Sequence, residues 1–324
     1  MAQVQRKDAG RTEATEARIG AMSWPKGGFT AAARAEALAR FRAAGLPGKR
    51  DEYWRYTDPS SLTVATGRPV NVVMADNGSV DGSPEAAASR YTNATLLRTG
   101  ANLGYGGAVN RGVASFASST SEFLVIANPD VVWGPGSIDA LLEVAQRWPQ
   151  AAAVGPLIRD PDGSVYPSAR HLPSIIRGGM HAVVGPFWKN NPWTAAYRQD
   201  REEPSERPVG WLSGSCLLVR RAAFDAIGGF DERYFMYFED VDLCDRLGRA
   251  GYPSVYVPSA KVLHVGGHST TKDPAAAARM AKAHHRSAYR YLADRHRGPA
   301  WAPVRGAVGA GLAGRYLASR VIAR

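Results

Sequence analysis

Three carboxylates stand within four residues in the stretch 235–246, directly after an aromatic run. Glu239, Asp240 and Asp242 repel one another, so a segment that keeps them beside apolar bulk needs a reason to do so. A site that holds a proton, a metal ion or a cationic partner is one such reason. The alternative is a solvated helix N-terminus, where the helix dipole favours acids. The stretch alone supports both interpretations equally.

Two glycine-bearing stretches follow predicted strands, at 76–83 and 102–112. Asp76 leaves the C-terminal end of a strand, where open α/β sheets bind ligands. An ordinary strand–turn–helix cap is the alternative, and this stretch alone favours it, because Asn, Gly and Ser form turns anyway. The glycines of 102–112 permit close backbone approach at a helix N-terminus, which suits a diphosphate. This stretch matches neither a Walker A loop nor the GxGxxG spacing.

Two further stretches carry possible metal ligands. Asp130, in Asn128-Pro129-Asp130, follows a buried apolar strand and is well placed to ligate Mg²⁺ or Mn²⁺ through oxygen. A helix cap or turn is the alternative. His264 begins His-Val-Gly-Gly-His-Ser at another strand end and could complete a metal site, although a lone histidine is more often structural.

Composition narrows the class of protein. The chain of 324 residues is 45% hydrophobic and 21% charged, which is typical of a globular protein. Its net charge of +11 favours an anionic partner such as a nucleotide or a phospholipid surface, and nucleic acid is the weakest candidate because no basic block with interleaved aromatics is present. Cys216 and Cys244 lack the spacing of a zinc site or a disulfide scaffold, so a reducing cytosol is expected.

The elements that must position these residues alternate along the chain. Short apolar runs bounded by turn residues alternate with helical patterns from residue 70 onward, which predicts an α/β fold with a mainly parallel sheet flanked by helices. Residues 159–208 are rich in Pro, Gly and Trp and are expected to form a lid or binding loop. The N-terminus has no apolar signal segment, and no apolar run is long enough to span a bilayer.

No single motif is decisive, but their order and spacing are. The series DNGSVDGS, NLGYGGAVNRG, NPD, GWLSGSCLLVRR, FDERYFMYFEDVDLCDR and HVGGHS closely resembles the inverting, nucleotide-sugar-dependent glycosyltransferases of the GT-A fold. It is most similar to the bacterial rhamnosyltransferase branch, which acts on lipid-linked cell-wall intermediates. The resemblance covers about residues 61–270.

The resemblance implies roles for residues of this chain. Asp240 is the candidate general base and Glu239 the second candidate, while Asp242 is expected to be structural. Asp76 would bind the pyrimidine base, and Asp130 takes the place of the metal-binding aspartate of an Asp-X-Asp motif whose first position is Asn128 here. The remaining assignments are a metal site of Asp130 and His264 for Mg²⁺ or Mn²⁺, an acceptor site of Trp211, Ser213 and Gly214, and a donor site of Asp76, Asn77, Gly78, Asn102, Gly104, Asn128 and Asp130.

The N-terminal part departs from this family. A GT-A domain begins with a strand, a turn and a helix before the DNGS strand, and here only about 61–68 resembles the end of that helix. Residues 33–62, with GLPGKRDEYWRYTDPSSL, instead resemble the N-terminal region of Suf-type iron–sulfur cluster assembly scaffold subunits. The chain is therefore expected to be a fusion that lacks the first strand–helix unit, with weakened or lost nucleotide binding.

Three regions follow from these observations. Residues 1–60 form a leader, disordered at 1–29 with a short helix at about 31–44; 61–270 form the glycosyltransferase domain; and 271–324 form C-terminal helices. In the last helix Val304, Val308 and Leu312 recur on one face with Arg305, Arg315 and Arg320 around it, which would suit either an anionic bilayer or packing on the domain.

Two functions are compared. The first is transfer of rhamnose from dTDP-rhamnose, with inversion, to a polyprenyl-diphosphate-linked sugar at the inner face of the plasma membrane. The second is an inactive fusion, or an iron–sulfur assembly scaffold fragment, that acts only through a protein partner.

Overall fold

Strands and helices alternate through most of the chain that the structure describes. The computed structural model describes residues 65–80, 82–91, 93–174, 204–265 and 274–322, with side chains omitted at 274–277 and 317–322. All of these residues belong to one unit, Arg55–Arg324. The predicted leader, its helix at 31–44 and the Suf-like segment lie outside the described residues, and so do residues 175–203 of the predicted loop and 266–269 of HVGGHS.

The described strands are β1 (Val72–Asp76), β2 (Ala94–Arg98), β3 (Phe123–Ala127), β4 (Val131–Trp133), β5 (Ala153–Arg159), β6 (Val165–Tyr166), β7 (Ala169–Arg170), β8 (Arg207–Val209), β9 (Trp211–Leu212), β10 (Cys216–Arg220) and β11 (Ser254–His264). The described helices are α1 (Ser83–Arg90), α2 (Gly104–Ser115), α3 (Ser137–Arg147), α4 (Arg221–Ala226), α5 (Glu239–Arg249), α6 (Pro274–Arg295) and α7 (Ala302–Ile322).

The large sheet has the order β3-β10-β5-β11-β4, with β6 on β5 and β8 on β11. Only β5 and β11 pair in parallel there, and the other pairings in this sheet are antiparallel. The α/β class is confirmed, while the pairings make the large sheet mixed. β3 and β4 are consecutive in the chain but lie at opposite edges of this sheet, and their antiparallel partners β10 and β11 come much later in the sequence.

The described strands form three sheets: the large sheet, the pair β1–β2 and the antiparallel pair β7–β9. β1 and β2 pair in parallel with each other, and in the described residues neither pairs with a strand of the large sheet. β3 pairs with β10 on one side only. One edge of β1 and one edge of β3 are therefore without a ladder partner among the described residues.

The core lies on both faces of the large sheet. Successive side chains of a strand point to opposite faces, and β10 shows this alternation: Cys216 and Leu218 join one apolar cluster, and Leu217 and Val219 join the other. Helix α3 packs in the first cluster and α5 in the second. Because α5 packs through its apolar face, its acidic first turn is held at a fixed place beside the sheet.

Two predicted strand patterns differ from the structure. The strand-like run 209–219 is interrupted at residues 213–215, which separate β9 from β10. The two short strands predicted at 254–257 and 261–264 are one strand, β11, with a register shift between Val257 and Lys261 where it pairs with β5. Pro258 lies in this shift and cannot donate a ladder hydrogen bond, so a local irregularity there is expected.

The C-terminal helices α6 and α7 pack against each other. Gly309 of α7 lies so close to Tyr289 of α6 that an added Cβ would be 3.2 Å from its ring. Val304, Val308 and Leu312 are partly buried. These contacts favour packing of α7 on the domain, although the side chain of Arg320 lies outside the description. Among the described residues, no helix is both long and apolar enough to cross a bilayer.

Candidate active site

The ends of four strands converge where the candidate metal ligands lie. His264, the last residue of β11, is the register partner of Val131, the first residue of β4, so Asp130 is placed beside His264. Cys216 at the start of β10 pairs with Ala127 at the end of β3. Consequently, the turn Asn128–Asp130 lies between two neighbours, and the backbone N–H of Asn128 donates to Ser215 O at 2.9 Å.

Asp130 and His264 form a compact pair. His264 Nε2 lies 3.1 Å from Asp130 Oδ1 and 3.2 Å from Asn128 Nδ2. Asp130 Oδ1 is buried and has no hydrogen-bond partner of acceptable geometry among the described residues. A buried oxygen that is left unpaired is costly unless another group satisfies it. Its chemistry suits a divalent cation, since Mg²⁺ and Mn²⁺ prefer oxygen ligands and Mn²⁺ also accepts imidazole.

The loop 213–215 is tied to the acidic helix. Gly214 N donates to Asp240 Oδ2 at 2.9 Å, and the hydroxyl of Tyr105 donates to Gly214 O. An added Cβ on Gly214 would lie 3.1 Å from Asp240 Cβ and 3.4 Å from Tyr105 Cε1. The sequence needs glycine here because the loop backbone passes directly between the carboxylate and the tyrosine ring.

Glu239 and Asp240 differ in their hydrogen bonding. Asp240 accepts hydrogen bonds from Gly214 N and, at 2.8 Å, from Val241 N. Glu239 Oε2 is buried without a hydrogen bond from the described residues. Burial and, after it, the negative charge of Asp240 raise the pKa of Glu239 to about 8. Burial also raises the pKa of Asp240, but the two N–H donors oppose that rise because they stabilise the carboxylate.

These values make the two carboxyls an acid–base pair. Like charges this close ionise in two steps, so the first proton leaves the pair much more readily than the second. The N–H donors favour Asp240 as the group that carries the negative charge at neutral pH, and Glu239 as the group that keeps its proton.

The turn before α5 is strained. Tyr237 and Phe238 have φ values of 65° and 67°, the only positive values among described residues other than glycine. Left-handed backbone at a bulky residue costs on the order of 1–3 kcal/mol and persists only where the surroundings enforce it. His284 of α6 lies against both rings, with centroid distances of 5.4 and 5.5 Å. The left-handed backbone at these two residues turns the chain, and α5 begins directly after it at Glu239.

A cleft of about 320 Å³ opens beside the two carboxyls. It is lined by Tyr166, Arg170, His171, Leu172, Pro173, Ser174, Trp211, Tyr237, Phe238, Glu239, Asp240, Val241 and His284. Trp211 is thus in the cleft, as its predicted acceptor role requires, whereas Ser213 and Gly214 are not among the lining residues. Ser213 is buried and bonds to Ser215, hydroxyl to hydroxyl, at 3.0 Å.

The predicted base-binding residue Asp76 already has protein partners. It is buried at the end of β1, accepts a hydrogen bond from Ser79 N at 2.8 Å and pairs with Arg98 at 3.2 Å. Burial alone would raise the pKa of Asp76, but the hydrogen bonds from Ser79 and Gly78 and the charge of Arg98 together hold it below its usual value. Asp76 is therefore an ionised acceptor held in a fixed orientation.

Asn77, Asn102 and Gly104 form a second linked group. Asn77 Nδ2 donates to Gly104 O at 2.9 Å, and Gly104 N donates to Asn102 Oδ1 at 3.0 Å. The Asn77 side chain thus ties the end of β1 to the start of α2, and the Asn102 side chain bonds locally at that start. Gly78 has a φ of +97°, which suits the tight turn after Asp76.

The glycines of 102–112 approach protein rather than open space. A Cβ on Gly104 would lie 2.3 Å from Phe235 O, and one on Gly106 would lie 2.8 Å from Phe230 Cβ. Asn110 bonds to the backbone of Phe230 through both ends of its side chain, at 2.9 Å each. The described contacts account for these glycines by close packing against the segment before α5, and no diphosphate is needed to explain them.

The structure therefore links most of the predicted site into one hydrogen-bonded network. The network runs from Asn77 through Gly104 and the Tyr105 hydroxyl to Gly214 and Asp240, and from Ser215 to Asn128, His264 and Asp130. Asp76 is connected to this network through the turn that follows β1. The functional roles of these residues stay predictions.

Sequence reasoning missed the other wall of the cleft. Arg170 and Tyr166 lie in the run that was expected to be a lid or binding loop, and His284 lies on a helix that carried no functional assignment. The aromatic run before Glu239 was visible in the sequence, but its left-handed backbone was not, because bulky residues rarely adopt it.

Comparison with known proteins identifies the family of this chain. Residues 60–289 match the family described as glycosyltransferase like family 2. The chain is 66% identical over 254 residues to the N-acetylglucosaminyl-diphospho-decaprenol L-rhamnosyltransferase of Mycobacterium tuberculosis, covering 76% of this chain and 82% of that protein. It is 29% identical over 200 residues to the rhamnosyltransferase WbbL of Escherichia coli, covering 60% and 72%.

Solved structures include a distant likeness. The mannosyltransferase PcManGT from Pyrobaculum calidifontis, in complex with GDP-Man and Mn²⁺, superposes with a TM-score of 0.45 at 18% identity, over 82% of this chain and 72% of that chain. The family match covers more than half of this chain, and it favours an enzyme over an iron–sulfur assembly fragment. The chain belongs to the glycosyltransferase-like family 2, whose GT-A fold it shares.

Proposed function

We propose that this protein transfers L-rhamnose from dTDP-rhamnose, with inversion, to N-acetylglucosamine linked to a polyprenyl diphosphate, in cell-wall polysaccharide synthesis. The observation that carries the proposal is the cleft in which two adjacent carboxyls, one held by backbone N–H donors, face a tryptophan. The Mycobacterium tuberculosis relative, which is 66% identical, supports the choice of sugar and acceptor.

Asp240 acts as the general base. Its carboxylate takes the proton of the acceptor hydroxyl while that oxygen attacks the anomeric carbon of the donor. The bond from that carbon to the nucleoside diphosphate breaks on the opposite face, so the configuration inverts. The hydrogen bonds from Gly214 and Val241 hold the carboxylate in one orientation and keep it ionised. Glu239, buried beside it, is the second candidate.

The donor lies along the network at the strand ends. Asp76 binds the pyrimidine base, and the remaining proposed donor contacts are Asn77, Gly78, Asn102, Gly104, Asn128 and Asp130. A fixed, ionised carboxylate at Asp76 supports this assignment, because a pyrimidine imide N–H needs an acceptor. Trp211 contacts the acceptor sugar, and Ser213 and Gly214 hold the loop beneath it.

Asp130 and His264 bind Mg²⁺ or Mn²⁺. The unpaired, buried Asp130 Oδ1 beside an imidazole fits such an ion. Asp130 and His264 would hold the ion, since the described residues contain no group of three or more His, Cys, Asp or Glu side chains that could hold a metal. A divalent ion there offsets the charge that develops on the departing nucleoside diphosphate.

The N-terminal region modifies donor binding. We propose that residues 1–60 are a leader that resembles a Suf-type scaffold segment, that 61–270 form the catalytic domain and that 271–324 are accessory helices. We expect a strand that would line the nucleotide pocket to be missing, and among the described residues one edge of β1 and one edge of β3 have no ladder partner. Weak dTDP-rhamnose binding is therefore expected, and calorimetric titration of the purified chain measures it directly.

The protein binds the inner face of the plasma membrane from the cytoplasm. Its net charge of +11 and its lipid-linked acceptor support this placement. Sedimentation with anionic vesicles is expected to remove the protein from solution at low salt and to release it at high salt. Sedimentation with zwitterionic vesicles to the same extent would contradict an electrostatic attachment.

The transfer reaction itself is the decisive test. Purified protein is incubated with dTDP-rhamnose, Mn²⁺ and a short-chain prenyl-diphosphate N-acetylglucosamine, and the product is identified by mass and by the anomeric proton coupling. Asp240→Asn should lower kcat by about 10²- to 10⁴-fold, since that is the usual contribution of a general base. Full activity of that variant would assign the base elsewhere, and Glu239→Gln would then be measured as the second candidate.

A further inference from the structure

One side of the cleft carries an arginine, Arg170, that has no role in the reaction proposed above. β7 and β9 pair so that Ala169 lies opposite Leu212 and Arg170 opposite Trp211. Ala169 and Leu212 are buried in one of the two core clusters. Because neighbouring residues of a strand point to opposite faces, the Arg170 and Trp211 side chains extend together on the other face, and both line the cleft.

Arg170 is held in place but is not neutralised by the described residues. Its Nε donates to Pro167 O at 2.9 Å, which is its one hydrogen bond among them, and it forms no ion pair there. None of the described residues forms a hydrogen bond with the two terminal nitrogens of the guanidinium, so within this part of the chain they are open to a ligand. The positive charge shares the cleft with Glu239 and Asp240 without lying in salt-bridge contact with either.

The backbone around this wall is closely packed. An added Cβ on Gly210 would lie 2.3 Å from Leu172 N and 2.8 Å from the carbonyl carbon of His171. Glycine at 210 lets the segment after Arg170 lie directly on the start of β9. The cation is therefore positioned by paired strands and a tight backbone contact rather than by a free side chain on a loop.

Tyr166, which lines the cleft together with Arg170 and Asp240, lies near both groups. Tyr166 lies close enough to both groups that its pKa, which burial raises, is lowered by the charge of Arg170 and raised by that of Asp240. The cleft of about 320 Å³ lies at the small end of ligand sites, about 300–1,000 Å³. It has room for a sugar headgroup with its phosphates and none for a long prenyl chain.

We propose that Arg170 binds the diphosphate of the acceptor while the neighbouring Trp211 contacts its sugar, so that the pair selects sugar–diphosphate acceptors and sets the acceptor hydroxyl at Asp240. A guanidinium binds phosphate oxygens through two parallel N–H groups, which lysine cannot reproduce. This inference rests on the proposed function, because it names the residue that recognises the acceptor of that reaction.

Paired acceptors test this inference. N-acetylglucosamine linked to the same short prenyl chain through a diphosphate or through a monophosphate is titrated calorimetrically, and then used as acceptor with dTDP-rhamnose. Wild type is expected to prefer the diphosphate by at least about tenfold, the order of one lost charge-assisted hydrogen bond. Arg170→Gln should raise KM and Kd for the diphosphate acceptor by about 10- to 100-fold and reduce the preference to about twofold.

Two further variants complete the design. Arg170→Lys keeps the charge but not the two-pronged geometry and should recover only part of the affinity. Arg147→Gln removes an exposed arginine that pairs with Glu206 outside the cleft, and it should leave acceptor binding unchanged. Urea unfolding, measured on every variant, verifies that each is folded.

Two results would overturn the inference. Unchanged acceptor KM and unchanged diphosphate preference in Arg170→Gln would show that the guanidinium does not bind this group. A lower kcat with a shifted pH profile and unchanged acceptor KM would show that Arg170 acts on the carboxyl pair instead. If wild type bound the acceptors but formed no product, the proposed reaction would fail, while the binding titrations would still test Arg170.

Discussion

Gly214→Ala is the substitution whose effect the structure defines most closely. Gly214 lies between the proposed base and the Tyr105 ring and donates its N–H to Asp240 Oδ2 at 2.9 Å. A methyl group at this position would lie 3.1 Å from Asp240 Cβ and 3.4 Å from Tyr105 Cε1. The substitution thus adds one carbon directly against the group that must be in place for catalysis.

The size of the effect follows from these distances. Carbon atoms pack best at about 3.5–4.0 Å, so Asp240 must move away by at least about 0.4 Å. Catalytic groups must be held within about 0.5 Å of their productive position, and a displacement of about 1 Å can lower the rate about 100-fold. We therefore expect kcat to fall by about 10- to 100-fold, and overpacking to reduce the free energy of unfolding by about 1–3 kcal/mol.

The assay separates displacement of the base from general damage. The rate of sugar transfer, the Kd for dTDP-rhamnose and urea unfolding are measured for wild type, Gly214→Ala and a matched control, Gly248→Ala. Gly248 lies on α5, the same helix as Asp240, and an added Cβ there meets nothing within 4 Å. The control should keep kcat and gain about 0.5–1 kcal/mol of stability, since alanine favours a helix more than glycine does.

The reasoning would be refuted by a Gly214→Ala variant whose kcat stays within twofold of wild type. A kcat loss equal in both variants would also contradict it, because the effect would then come from the helix and not from contact with Asp240. An unchanged donor Kd in Gly214→Ala is part of the expected result, since Gly214 is not among the proposed donor contacts.

Three other substitutions follow from the site. Glu239→Gln should flatten the dependence of the free energy of unfolding on pH. The raised pKa of Glu239 gives stability that is complete below about pH 4.5 and is lost as pH rises toward 8, at about 1.4 kcal/mol per pH unit. Urea unfolding at pH 5 and pH 8 measures this, and equal losses in wild type and the variant would contradict it. Tyr105→Phe should lower stability by about 1–3 kcal/mol and reduce kcat, because Gly214 O loses its donor; transfer assays and urea unfolding decide, and unchanged values would show the bond to be unimportant. Asp130→Asn should raise the Mn²⁺ concentration for half-maximal activity by at least about tenfold; an unchanged metal titration would place the ion elsewhere.

Local patterns were sufficient for individual elements. The apolar run 123–127 predicts a strand, and the structure gives β3 the same bounds. The pattern 240–250 predicts a helix, and α5 begins one residue earlier, at Glu239. Both have strong local signals, an apolar run bounded by turn residues in one and an acidic first turn with apolar spacing in the other. In the sequence, the irregularity in β11 looks like a gap between two short strands. The reason is that Pro258 and its neighbours resemble a turn when the partner strand β5 is unknown.

Long-range pairing escaped the sequence for a different reason. The alternation of strands and helices predicted parallel neighbours, but the order β3-β10-β5-β11-β4 depends on contacts between segments that are 64 to 133 residues apart. Period-2 patterns fix which face of a strand is buried, and they contain no information on which strand lies beside it. The mixed pairing in the large sheet was therefore decided by tertiary packing alone.

The candidate site divides in the same way. The sequence by itself determined the chemistry: which residues carry carboxylates, that Asp130 and His264 follow strands, and that the order of motifs is that of a glycosyltransferase. Only the tertiary structure decided the geometry: that Gly214 holds Asp240, that Glu239 is the buried partner, and that Arg170 faces them across the cleft. The physical reason is that burial and hydrogen bonding, which set the pKa and the reach of each group, depend on neighbours that are distant in the chain.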